Sequence, residues 1–330
     1  MNRARLCGYV LCVSHSASAN LLPLSDEELA ATDGQAFISI DQYQQNNLDF
    51  TRVNFGLDAK VQLNADEVVY GEYPRAGEAA TADIALSNFS LGHIENQTIT
   101  PFEMRNPYLE FAMDKQNGNN DVVGIRFGFD EVKGSISFDA SSFTGNIDLA
   151  FSGEYEFQAQ STIFRLPLQL PLTVSGQAVL VDDQGNPDPI RANSIGLPNG
   201  TIAEIYNPWH VLPIIGGEEF YYVPTNNCEL QTGGGSQESV CSSLSDFRSF
   251  YIGELNAQQE YTPAKGFFLS FQNRSMAWGN SAAGESEVQT VRGAFFNVPS
   301  ASYTGETSNG VPVGNHRLQT EFIDRGVGRF

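Results

Sequence analysis

The chain has 330 residues, 41% of them hydrophobic and only 17% charged, with Lys+Arg 18 against Asp+Glu 39 and a formal net charge of -21. That apolar share supports a sizeable core, in one large β domain or two smaller ones, and excludes wholesale disorder. The acid excess argues against nucleic acid or an anionic membrane as partner, and 4 His with 4 Cys argue against a multi-ligand zinc or iron centre.

The first 19 residues read as a signal peptide: basic MNRAR, apolar LCGYVLCV, then small-residue SHSASA, with Ala17-Ser18-Ala19 placing cleavage before Asn20. No later run of 18 uncharged apolar residues occurs, so no membrane span is expected. Residues 20–34 form a short segment with helix signals. Ser25 can cap its start, and Glu28, three residues on, completes a capping box. Leu24 and Leu29 occupy the staple positions, and Gly34 is a stop. Two turns of helix are marginal alone. Leu24, Ser25, Glu28, Leu29 and Gly34 are therefore candidate partner-binding residues.

From residue 35 to 330 the pattern predicts a single β-rich domain. Val53, Phe55, Leu57, Ala59, Val61 and Leu63 alternate with Arg52, Asn54, Gly56, Asp58, Lys60 and Gln62. This predicts one long strand whose first set faces the core and whose second set is wet. Ile84 and Leu86, then Phe89 and Leu91, alternate with a phase slip near Ser87-Asn88, the mark of a bulge. Further sets follow at Leu109, Phe111 and Met113, at Ile125, Phe127 and Phe129, at Ile136 and Phe138, and at Ile147, Leu149 and Phe151. Gly/Asn/Asp-rich turns separate them, and short connections imply antiparallel neighbours. Pro167 and Pro171 interrupt the next apolar run, which reads as an edge or an irregular crossing. A loop-rich insertion spans about 183–250. It holds Cys228 and Cys241, the two cysteines beyond the signal, expected as a disulfide in an exported chain. Strands resume near Phe267 and Val291. The fold expected is all-β and mainly antiparallel, a long-strand sandwich or a curved open sheet, with a short N-terminal helix.

Chemistry-bearing motifs are scarce. His93, His210 and His316 sit in separate segments with no metal-ligand spacing. No nucleophile elbow, P-loop or dinucleotide fingerprint occurs. Two loops carry calcium-like oxygens: Asp114, Asn117, Asn119 and Asp121, and Asp182, Asp183, Asn186 and Asp188. Neither completes an EF-hand pattern, and hairpin turns favour the same residue types. No cofactor is expected.

LSDEELAATDGQAFISID (24–41), PFEMRNPYLEFA (101–112) and VVGIRFGFDEVKGSISFD (122–139) resemble segments of a group of exported bacterial β-rich proteins of poorly defined function. Some of these are labelled pilus-system proteins of the Fil type. The resemblance implies a cell-envelope or surface protein, with a pilus link by label only. The expected function is a non-enzymatic structural or interaction protein, pilus- or adhesion-associated, with a protein partner. A carbohydrate-binding or glycan-active β-sandwich is the alternative, marked by a concave Tyr/Trp patch with two facing carboxylates. A third is an envelope transport component shielding an apolar cargo in a β groove.

Overall fold

A computed structural model describes residues 38–75, 80–115, 121–160, 167–206, 220–231, 239–256, 260–281, 284–303, 306–308 and 311–313, together with 318 and 320. All belong to one compact unit, Ile38–Phe330. The expected signal peptide, and the capped segment with Leu24, Ser25, Glu28, Leu29 and Gly34, lie outside the described residues.

The fold is all-β. Strands β1 (Ile38–Gln45) and β2 (Leu48–Phe55) form a hairpin. Its two-residue turn holds Asn46 and Asn47 at φ 51° and 62°. Asn tolerates this region, and two such residues match the twist of the flanking strands. Next come β3 (Asp58–Val61), β4 (Leu63–Tyr70), β5 (Ile84–Leu91), β6 (Phe102–Asp114) and the 23-residue β7 (Asp121–Phe143). Then follow β8 (Gly145–Gln160), β9 (Pro167–Val181), β10 (Ile202–Tyr206), β11 (Phe220–Asn226), β12 (Ser249–Ile252), β13 (Phe268–Gln272) and β14 (Gly293–Tyr303). Helical structure among the described residues is limited to the 3-10 turn Leu244–Asp246 and a 3-10 residue at Ser281, and none of it is long and apolar enough to cross a membrane.

These strands join in one continuous sheet rather than two separate ones. Its hydrogen-bonded order is β1-β2-β6-β7-β13-β14-β8-β9-β10-β11. Every pair is antiparallel except β8 with β14, which run parallel. Strand β3 continues beside β6 where β2 ends. The long β7 changes neighbours along its length: β6 and β13 flank its first half, β5 and β12 its second. β4 lies outside β5.

The expected bulge is present. Ser90 pairs with Ser137 and Ser87 with Asp139, so Asn88 and Phe89 together oppose one residue, and Asn88 takes φ 52°. Pro167 and Pro171 pair with β8, whereas β10 meets β9 only at Thr173–Ser175. Among the described residues both prolines therefore have a strand neighbour on one side only, the setting in which a sheet tolerates proline.

The main core runs from Ile84 and Leu86 through Ile136, Phe138, Leu149 and Val174 to Ile205. A chain of ring contacts threads it: Phe247–Phe250, Phe250–Phe138, Phe138–Phe143, Phe143–Phe296 and Phe296–Phe267. The loop-rich insertion contributes Ile195, Leu197, Leu244 and Phe247 to this core, each almost fully buried. It is held by the Cys228–Cys241 disulfide, with Cα atoms 5.2 Å apart.

Two expectations are corrected. Residues 53–63 are not one strand but parts of β2, β3 and β4. And β2 buries Leu48, Phe50, Arg52 and Asn54, while Val53 and Phe55 stay half-buried on the other face. Of the set read as wet, Arg52 and Asn54 are buried, while Gly56, Asp58 and Lys60 are exposed as expected. The reason lies in what Arg52 meets.

Candidate functional site

In β6, Glu110 stands opposite Arg52 of β2 on one side and Arg126 of β7 on the other. Directly opposed residues share a face, so one carboxylate sits between two guanidinium groups. Glu110 is fully buried. It accepts hydrogen bonds from Arg52 Nε at 2.9 Å, Arg126 Nε at 2.7 Å and the Tyr43 hydroxyl at 2.9 Å. Glu285 closes the outer side. It accepts from Arg52 Nη1 and, at 2.8 Å, from Arg52 Nη2, and lies 3.5 Å from Arg126 Nη2. Two cations and two anions balance.

Aromatic rings wrap this cluster. The Tyr108 ring lies 4.2 Å from the Arg52 guanidinium and 5.1 Å from that of Arg126. Trp278 and Phe268 lie 5.3 and 5.1 Å from Arg126. Close approach needs bare backbone: a Cβ on Gly128 would stand 2.5 Å from the Tyr108 hydroxyl, and one on Gly124 would stand 2.8 Å from the Trp278 ring. The N-P-Y and G-x-R-x-G-F strands that carry the sequence resemblance therefore build the wall of this cluster.

Burial alone would raise the Glu285 carboxyl. Hydrogen bonds from Arg52 and the Asn280 N–H, with the Arg52 and Arg126 charges, reverse this and hold it at about 2. Burial pushes Tyr108 up to about 12. Burial, then the Glu110 charge, also raises Tyr43. These groups are moved away from neutrality, which suits a fixed ion cluster rather than proton transfer.

The cluster decides what the opposite face carries. Side chains alternate along a strand, so burying Arg52, Glu110 and Arg126 turns the apolar set outward. Ile40, Val53, Leu109, Phe127 and Leu269 then stand in one cross-strand row over β1, β2, β6, β7 and β13. Beside it runs Thr51, Phe111, Ile125 and Phe271. Ile40 is 64% exposed, Phe127 45% and Phe271 40%, while Val53, Leu109 and Phe111 are half-buried. Leu269 pairs with Phe296 of the main core. The outward face thus continues that core, and among the described residues its side chains at Ile40, Phe127 and Phe271 stay exposed. It ends at β1, whose outer edge pairs with no other described strand. β1 carries a single charge, Asp41, and no Pro or Lys, the residues that commonly blunt an edge.

A groove of about 1160 Å³ adjoins the cluster, lined by its Tyr108, Arg126 and Glu285 and by Asn106, Asp130, Asp148, Asp188 and Lys265, among others. Four of its carboxylates are engaged: Asp130 accepts from Asn106, Glu131 pairs with Arg105 at 2.9 Å, Asp148 accepts from Gln177, and Asp188 accepts from the Ile190 N–H. The rings of Tyr108 and Phe268 in its wall are buried, so they offer no stacking platform for a sugar.

Of the residues singled out from sequence, Cys228 and Cys241 are brought together. Asp182 closes its own loop, Oδ1 accepting from the Gln184 and Asn186 N–H groups, and Asn186 Nδ2 reaches Oδ2. Those contacts, led by Asn186, hold the Asp182 carboxyl low. Asp183 points to solvent. Asp114 pairs with Arg274 at 2.7 Å and lies opposite Asp121 in the ladder; Asn117 and Asn119 lie outside the described residues. Among the described residues, no three His, Cys, Asp or Glu side chains are placed to hold a metal. His93 lies in the short strand His93–Glu95; His210 and His316 are outside. Sequence reasoning missed Arg52, Glu110 and Arg126. Their signal was a charge flanked by apolar residues in each of three successive strands.

No family model, curated protein or solved structure matches the chain.

Proposed function

We propose that the chain is a non-enzymatic, exported envelope or surface protein that works by binding another protein on its uncovered apolar face and along the β1 edge. The observation that carries this reading is the in-register row Ile40, Val53, Leu109 and Phe127, left open on the surface. Contiguous apolar patches mark interaction sites, and an unblunted edge accepts a partner strand through main-chain hydrogen bonds. The net charge of -21 favours a partner whose apolar strand is flanked by basic residues. Export is supported by the basic, apolar and small-residue order at the N-terminus and by the disulfide. The resemblance to exported bacterial proteins agrees with an envelope location.

The test is site-specific photo-cross-linking in the native host, with the reactive group at Ile40 or, as control, at exposed Asp183. The expected result is one discrete protein adduct from position 40, lost when Phe127→Lys is added, and none from position 183. Equal labelling at both positions, or turnover of a glycan or ester substrate by the purified protein, overturns the reading.

A further inference from the structure

The outer edge of β1 has a backbone register that can be read from its hairpin. β1 and β2 are joined by Asn46 and Asn47, both at positive φ. In a two-residue hairpin the residues flanking the turn exchange both main-chain hydrogen bonds, and bonded and non-bonded pairs then alternate. The register runs without a slip from Gln45–Leu48 to Ile38–Phe55. Gln45, Tyr43, Asp41 and Ser39 therefore direct their N–H and C=O groups to β2. Gln44, Gln42, Ile40 and Ile38 turn theirs to the outer edge, where no described strand lies.

The two faces of that edge differ in chemistry. Residues with outward main-chain groups carry their side chains on the apolar face, and Ile38 and Ile40 stay 50% and 64% exposed. The alternate residues look to the face of the ion cluster, where the Tyr43 hydroxyl donates to Glu110 at 2.9 Å. On this face the edge is acidic. Asp41 is exposed, and its Oδ2 accepts from Asn54 Nδ2 at 2.6 Å. Gln45 donates to the exposed Glu287 at 2.9 Å, which sets a second carboxylate on the same side. Neither Asp41 nor Glu287 meets a cation among the described residues.

We propose that the β1 edge takes an extended segment of a protein partner as an added antiparallel strand, with apolar residues opposite Ile38 and Ile40 and basic residues opposite Asp41 and Gln45. The proposal rests on the partner-binding reading above and adds the register, which puts the basic residues on the strand's second face. Main-chain bonds to Ile40 and Gln42 supply affinity, and alternate side chains supply selection. The apolar side chains extend the row Ile40, Val53, Leu109 and Phe127 by one strand. A cation across from Asp41 makes an opposed pair of unlike charge, which strand pairs favour. A second copy of this chain suits the edge less well, since it brings the same acidic side and a net charge of -21.

The test titrates the oxidised full chain into a labelled octapeptide, KTTVRVTI, whose antiparallel register sets its Lys against Gln45, its Arg against Asp41 and its final Ile against Ile38. Fluorescence anisotropy should saturate. N-methylation of its two valines, which pair with Gln42 and Ile40, should weaken binding about ten-fold, whereas N-methylation of the Arg and the second-last Thr, whose N–H groups point away from β1, should change it by under about two-fold. Asp41→Lys should weaken binding about three-fold, and a Glu-for-Arg octapeptide should regain that loss on the variant. Amide exchange read by NMR should be fast at Ile40 and Gln42 but slow at Asp41 and Tyr43 in the free chain, and slow at all four with peptide bound. Absence of saturable binding, equal losses from the two methylated peptides, unchanged exchange at Ile40 and Gln42, or a dimer of the chain paired through β1 overturns the proposal. If position 40 still gives its discrete cross-link in the native host, the partner reading stands and strand addition alone is refuted.

Discussion

Replacing Glu110 by glutamine tests whether the buried ion cluster holds the first half of the sheet. The carboxylate is shielded from water and receives Arg52 Nε, Arg126 Nε and the Tyr43 hydroxyl. A glutamine carbonyl takes over part of that load. Its amide group then faces guanidinium donors, and two buried cations are left with Glu285 as their counter-charge. Breaking a buried pair from one side costs about 3–5 kcal/mol. Arg105→Ala removes an exposed pair, with side chains 53% and 30% accessible, and should cost less than about 1 kcal/mol. In urea, at about 3 kcal/mol per molar, the Glu110→Gln midpoint should fall by about 1 M. Fluorescence of Trp278, which packs on Arg126, reports the transition. Adding Arg126→Met removes the stranded cation and should recover part of the loss. If Glu110→Gln matches Arg105→Ala, or the double variant loses the sum of its parts, the cluster is not the keystone described.

Acid should loosen the same region through Glu285. Its folded carboxyl is held at about 2 against an ordinary value of 4.5, so the unfolded chain takes up the proton first. Its contribution is full above pH 4.5 and is lost as pH falls toward 2; with a third of the side chain exposed it amounts to about 2 kcal/mol. Melting temperature against pH should drop through that window, and Glu285→Gln should flatten the drop; an unchanged profile refutes the assignment. Reducing Cys228–Cys241, which closes a short loop, should cost about 3 kcal/mol in the chain-entropy model. Equal urea midpoints with and without reductant would show that the insertion is held by packing instead.

The β character was legible from period-two alternation, the bulge from its phase slip at Asn88, and the disulfide from cysteine arithmetic. Which face of β2, β6 and β7 is buried was not. Alternation separates two faces but does not say which is covered. Arg52 lies 58 residues from Glu110, and Arg126 lies 16 away; read one strand at a time, each charge marks a wet face. Only the register shows that the charges neutralise one another, and only the fold shows Trp278 and Glu285 arriving from a later segment.

The parallel pairing of β8 with β14 has a consequence for the order of assembly. β14 lies between β13 and β8, so its ladders unite the sheet built before residue 143 with the β8 to β11 group. Asn146 bonds Asn297 across 151 residues of chain. A nascent chain lacking residues 293–303 therefore holds two incomplete sheets, each with an open edge where β14 belongs. Contacts of such long separation form slowly, and unfilled edges invite wrong pairing. Completion waits for this last major strand, so the two parts of the sheet join only when almost all of the polypeptide has been made.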